Sequence, residues 1–156
     1  MQFSLQNNVI NHKDILCILF FNHGLSYFLI NIYSDSSQSA LKYLKDTEVN
    51  IDNVLILTSN FNIYDSFWDS NYSYHSLHKN TLFNITNSFN LELSRPIEIF
   101  PTKYSDNTQN SNLVLDLIFL HPNSREMDNY CIHPEQRLTS DHAPITIIIL
   151  ILEEQV

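Results

Sequence analysis

The sequence predicts a mixed α/β domain built around a largely antiparallel sheet. Three observations predict it. Apolar runs of strand length outnumber helical patterns, two of these runs flank a short glycine-bearing turn, and the polar residues that could carry chemistry sit where such runs begin or end. At 156 residues and 44% hydrophobic content, the chain is long enough to bury one core.

Ile15 to Phe21 and Ser26 to Tyr33 are the first two strands, and Asn22-His23-Gly24 between them is a turn in which Gly24 can take positive φ. Ser34-Asp35-Ser36-Ser37 offers N-cap side chains to a helix that presents Ala40, Leu41 and Leu44 on one face and ends near Asp46. Val54 to Leu57 is a buried strand that runs into the polar stretch Ser59-Asn60-Phe61-Asn62. Asp65 to Tyr74 has no periodicity and reads as a loop, and Lys79 to Phe89 as a second helix. Ser94 to Asn112, with Pro96 and Pro101, is mostly irregular. Leu113 to Leu120 is a buried strand with Asp116 inside it, Tyr130-Cys131-Ile132 a shorter one, and Ala143 to Leu152 the last, directly after Ser140-Asp141-His142.

Composition narrows the function. Eight Lys and Arg against 17 Asp and Glu give a formal charge of -9, which repels nucleic acid at long range and supplies no basic stripe for phosphates. Cys17 and Cys131 form no C-x-x-C pair, so neither a disulfide framework nor a zinc site is indicated, and both read as buried structural thiols. His75 and His78 share a spacing used by metal sites but lie among Ser, Tyr and Asn, as in an exposed loop. Phe67 and Trp68 read as core or lid packing. No glycine pattern around Ser59 or Ser140 suggests a serine nucleophile. No secretory signal opens the chain, and Ile15 to Phe21 and Ala143 to Leu152 fall well short of the roughly 20 residues that span a bilayer. The expected location is intracellular, nuclear if the protein is functional.

Three polar groups emerge from strand contexts: Asn60 and Asn62, Asp116, and Asp141-His142. A carboxylate embedded in a strand needs a partner, and a histidine is a natural one. The stretches "INIYSD", "LTSNFN", "VLDLIFL" and "TSDHAPI", in that order and each at a strand end, resemble the endonuclease/exonuclease/phosphatase superfamily, with its deoxyribonuclease I-like α/β sandwich. The closest resemblance is to the endonuclease domain of LINE-type retrotransposons as found in fungal genomes. It runs from about Ile15 to Glu153, with residues 1–14 as an N-terminal remnant.

The resemblance implies Mg2+-dependent hydrolysis of DNA phosphodiesters. Tyr33 would contact the scissile phosphate, Asn62 would hydrogen-bond a phosphate oxygen, and His142, held by Asp116, would stabilise charge on the phosphorane. Asp141 would ligate Mg2+. Phosphodiester hydrolysis does need a Lewis acid, a positioned water and donors to the phosphoryl oxygens.

Two departures accompany it. Ser59-Asn60 stands where the family has Gly-Asp, and an amide cannot accept the proton of the attacking water, a service worth about 10²–10⁴-fold. The family's N-terminal Gln-Glu motif, whose Glu ligates the metal, has no counterpart, so the sequence reads as an N-terminally truncated copy. A single Gly, where average usage of about 7% would give roughly eleven, and abundant Asn fit G-to-A drift, which turns Gly codons into Ser and Asp codons into Asn. The expectation is a catalytically impaired domain with weakened metal binding. A partner supplying the missing half, or a non-catalytic binding role, are the alternatives. An uncovered sheet face would favour self-association.

Overall fold

The computed structural model of the chain describes residues 2–6, 9–22, 24–47, 49, 51–95, 100–105, 112–122, 124–126, 130–137 and 139–151. His23 of the expected turn, Pro96, and the expected ends at Leu152 and Glu153 lie outside these residues. Among these residues six strands make the main sheet, in the spatial order β1 (Gln2–Leu5), β2 (Ile15–Asn22), β3 (Leu25–Tyr33), β4 (Val54–Asn60), β6 (Asp116–Leu120) and β5 (Glu92–Ser94). All pairs in it are antiparallel except β3 with β4. Two further antiparallel pairs join β7 (Ser124–Glu126) to β10 (Ile149–Ile151), and β8 (Cys131–Ile132) to β9 (Ile145–Thr146). The α/β class and the mostly antiparallel sheet are as the sequence predicts.

Local chemistry explains the main elements. Gly24 takes φ 83 in the turn between β2 and β3, a conformation that costs glycine little. Parallel strands need a crossover, and helix α1 (Ser39–Asp46) supplies it between β3 and β4, burying Ala40, Leu41 and Leu44. The residue at its N-cap is Gln38, with φ 58 and no capping side chain of its own. Asp35, three residues earlier, accepts from the backbone N–H groups of Ser37 and Ser39 instead. Helix α2 (Leu77–Ser88) starts two residues before the expected point because the Ser76 side chain caps it, accepting from His78 N.

The core lies on both sides of the sheet. Between sheet and helices, Ile30, Ile32, Leu41, Leu57, Phe61, Leu82 and Phe119 are all buried, with Phe61 and Phe119 meeting edge to face at 5.8 Å. On the other face, Phe20, Leu55, Ile56, Ile118 and Leu120 pack against Tyr130, Ile132 and Ala143.

Four expectations need correcting. Strand Leu113 to Leu120 starts only at Asp116, because the hydroxyl of Thr102 takes the N–H groups of Leu115 and Asp116. The run from Ala143 is two short strands rather than one: Ile145, Ile147, Ile149 and Ile151 pack on the second cluster, whereas Ile148 and Leu150 are about half exposed. Apolar residues on its solvent side hide the alternation that would have marked a one-sided strand. Cys131 is exposed, since it occupies the outward position of β8 beside buried Ile132; Cys17 is buried, which pushes its thiol up to about 11. Finally, β1 adds an edge strand where no element was expected.

The loop from Asp65 to Tyr74 is anchored by its first residue. Asp65 is fully buried, and its carboxylate accepts from Phe67 N, Ser76 N and Lys79 Nζ, with His75 Nδ1 at 3.2 Å. Burial alone would raise its pKa, but these hydrogen bonds prevail and bring it down to about 2 from the ordinary 3.8. The folded chain therefore holds this proton less tightly than the unfolded chain. The resulting stabilisation, on the order of 2 kcal/mol, is present above pH ~4 and is lost as pH falls through about 2. Urea unfolding followed across that window should show the loss, and Asp65→Asn should flatten it; an unchanged pH slope in the variant would contradict this assignment.

Candidate active site

Register sets the first row of the site. Tyr33 pairs with Asn60 across β3 and β4, and Asn60 with Asp116 across β4 and β6, so three side chains stand side by side on the sheet face away from the helices. Tyr33 is exposed. His142 arrives from the far end of the sequence, carried by a short stack of backbone pairings. Lys103 bridges both Leu113 and His142, Tyr104 N donates to Asp141 O, and Ala143 N donates to Thr102 O. Segment 102–104 thus lies between the end of the β6 approach and the Asp141-His142 turn.

Asp116 and His142 are hydrogen-bonded neighbours, with His142 Nδ1 2.8 Å from Asp116 Oδ2. On its other side, His142 Nε2 lies 3.3 Å from Asn60 Nδ2. The protons in this chain follow from one donor. Asn62 N–H donates to Asn60 at 3.0 Å, which only the amide oxygen can accept, so Asn60 turns its NH2 group toward His142. Nε2 must then accept, and Nδ1 carries the ring proton that it donates to Asp116. Asp116, His142, Asn60 and Asn62 form one hydrogen-bonded series.

Asn62 stands at φ 51, the left-handed region that asparagine tolerates better than most residues. Its Oδ1 accepts from the Tyr64 hydroxyl at 3.2 Å, which leaves its NH2 as the donor toward any ligand. Asp141 is half exposed, with Oδ1 4.0 Å from His142 Nε2. Five of the six expected residues therefore gather at one end of the sheet through direct contacts, and Tyr33 joins them by register alone.

Supporting residues escaped sequence reasoning. Ser34 Oγ donates to Gln38 Oε1 at 2.6 Å, and Gln38 Nε2 donates to the carbonyls of Phe61 and Asn62, so a buried amide pins the loop that carries Asn62. Asp69 Oδ2 accepts from Val114 N on the approach to Asp116. The i, i+4 spacing of Ser34 and Gln38 was the only visible signal for the first pair. Ser59 buries its hydroxyl with no hydrogen-bond partner among the described residues, a cost of about 1–3 kcal/mol.

Residues 27–146 match the endonuclease-reverse transcriptase family, most of the chain and all six of these side chains. The chain belongs to that family. Its fold is the deoxyribonuclease I-like fold of the endonuclease/exonuclease/phosphatase superfamily. Among solved structures, it superposes on the endonuclease domain of TRAS1, a telomere-specific non-LTR retrotransposon, with a TM-score of 0.70 and 12% identity, covering 99% of this chain and 70% of that one. D. rerio TDP2 complexed with single-strand DNA product gives 0.58 and 12%, over 96% and 67%. An endonuclease/exonuclease/phosphatase family protein from Bacteroides thetaiotaomicron gives 0.54 and 13%, over 90% and 56%. The chain thus spans from about half to 70% of the length of these structures. No curated protein matches it.

The Thr102 hydroxyl holds the centre of this arrangement by accepting two backbone N–H groups at 2.9 Å in a fully buried position. Thr102→Val should leave both donors unpaired and cost about 2–4 kcal/mol in urea unfolding, whereas Thr102→Ser should lose less than half as much. A loss confined to Thr102→Ser, with Thr102→Val unaffected, would show that the methyl group, not the hydroxyl, matters.

Proposed function

We propose that the chain is an endonuclease-like domain of retroelement descent that does not hydrolyse DNA as it stands. The observation that carries this reading is the orientation of Asn60. Its amide is engaged at both ends, by Asn62 N–H and by His142 Nε2. The position that the family resemblance assigns to a water-activating carboxylate therefore holds a group that cannot take a proton. Nor can His142 substitute: its one lone pair is occupied by the amide, and its proton is committed to Asp116.

The remaining residues retain groups suited to holding a phosphate. Asn62 offers its NH2, and the exposed hydroxyl of Tyr33 lies one strand from Asn60. These fit the phosphate-contacting roles that the resemblance assigns. Mg2+, which the superfamily generally uses, would act there as the Lewis acid. The donor set would hold it only weakly. Among the described residues no group of three or more His, Cys, Asp and Glu side chains could hold a metal ion. Asp116 is committed to His142, so among the described residues Asp141 is the carboxylate left open at the site, the minimum of the one or two that Mg2+ uses together with substrate phosphates. DNA remains the ligand class that the likeness suggests. The net charge of -9 means that contacts to bases would have to offset weak attraction to phosphates.

The purified chain incubated with supercoiled plasmid and Mg2+ should produce no more nicked circle than its His142→Ala variant. Nicking by the unaltered chain that disappears in His142→Ala would overturn the proposal.

A further inference from the structure

A line of tyrosines leaves the site through the loop that Asp65 anchors. Tyr64 is hydrogen-bonded to Asn62, its ring centroid lies 5.6 Å from that of Tyr72 at an interplanar angle of 32°, and Tyr72 meets Tyr74 edge to face, at 5.9 Å and 66°. Tyr64 and Tyr72 are half-buried, and Tyr74 is 71% exposed. These rings are separate from buried Trp68 and the partly buried Phe83 beside it, and belong to neither core cluster. An exposed aromatic series of this kind, continuous with a candidate site, calls for a ligand with flat faces.

We infer that Tyr64, Tyr72 and Tyr74 form a stacking platform that holds unpaired bases of single-stranded DNA next to the Asn62 site. The inference rests on the reading of that site as a DNA-binding endonuclease descendant and names the form of DNA it takes. Unpaired bases present the π-faces that such rings recognise; the bases of a duplex are stacked on each other and do not. Local electrostatics permit this despite the overall charge. The two carboxylates of the loop, Asp65 and Asp69, are buried and accept hydrogen bonds from within the protein, Asp65 from Lys79 and backbone, Asp69 from Asn71 N and Val114 N. What the loop shows to a strand is rings, with the amide of Asn62 at one end and the largely exposed His75 beside Tyr74 at the other. Because stacking rather than phosphate neutralisation carries the contact, the affinity should depend only weakly on salt.

The test is fluorescence anisotropy with a labelled oligothymidylate of roughly ten nucleotides and a duplex of the same length. The unaltered chain should bind the single strand in preference to the duplex. Tyr74→Ala, at an exposed position where the fold has little to lose, should weaken binding about fivefold or more, and Tyr74→Phe should retain it. Raising salt from roughly 50 to 200 mM should change the affinity by less than about threefold. Equal binding of single strand and duplex, no binding at all, or an affinity untouched by Tyr74→Ala combined with Tyr72→Ala would overturn the inference. Failure of the underlying site reading is seen separately: a chain that nicks plasmid but shows the Tyr74 effect loses the inactivity and keeps the platform, and one that neither nicks nor binds the strand loses the platform alone.

Discussion

The carboxamide of Asn60 has one orientation, and the polar arrangement around it depends on that. An amide has a donor end and an acceptor end that cannot exchange roles, unlike a carboxylate, which accepts at both. Asn62 N–H claims the oxygen, so the nitrogen must face His142, and that choice sets the tautomer of the imidazole and the partner of Asp116. A carboxylate in the same place would accept from Asn62 equally well and would face Nε2 with a lone pair. An NH2 group in place of that oxygen thus reverses the direction in which protons can be offered.

The rest of the fold holds this series in place with little freedom. Register across β3, β4 and β6 brings Tyr33, Asn60 and Asp116 abreast, and a one-residue slip of β4 would send Asn60 into the core and Ser59 out. Buried Leu57 and Ile32 on the helix side oppose such a slip. From the other direction, segment 102–104 ties the Asp141-His142 turn to the approach of β6 through backbone pairs. Gln38 fixes the Asn62 loop from beneath, using a residue that sits at the start of α1 with left-handed φ. Polar groups at this end of the sheet are therefore spaced by backbone hydrogen bonds, which is why side chains far apart in sequence meet at bonding distance.

Much of this was legible in the residues. The hairpin around Gly24 and the two helices follow from turn and periodicity signals in which local chemistry and burial agree. The Asp116 and His142 pairing was visible because a carboxylate in an apolar strand demands a partner. What stayed hidden has physical causes. Thr102 acts through its hydroxyl on backbone N–H groups, and nothing in a Pro-Thr dipeptide within an irregular stretch distinguishes that from a surface threonine. Residues 145–151 are apolar on both faces, so their one-sided packing and the break into β9 and β10 left no alternation to read. The stretch Ser34 to Ser37 does supply N-cap chemistry, through Asp35, but the N-cap residue itself is Gln38, whose inward turn is driven by tertiary bonds to Phe61 and Asn62.

The tautomer of His142 tests the account most directly. Long-range 1H–15N correlation spectra of the neutral ring should show a protonated Nδ1 and a bare Nε2, the pattern that Asp116 and the Asn60 amide together impose. In Asn60→Ala that constraint on Nε2 is removed, and its nitrogen resonance should move toward that of a solvated imidazole. A protonated Nε2 in the neutral ring of the unaltered chain would contradict the account, because the Asn60 amide would then face a donor and the site could not be closed as described.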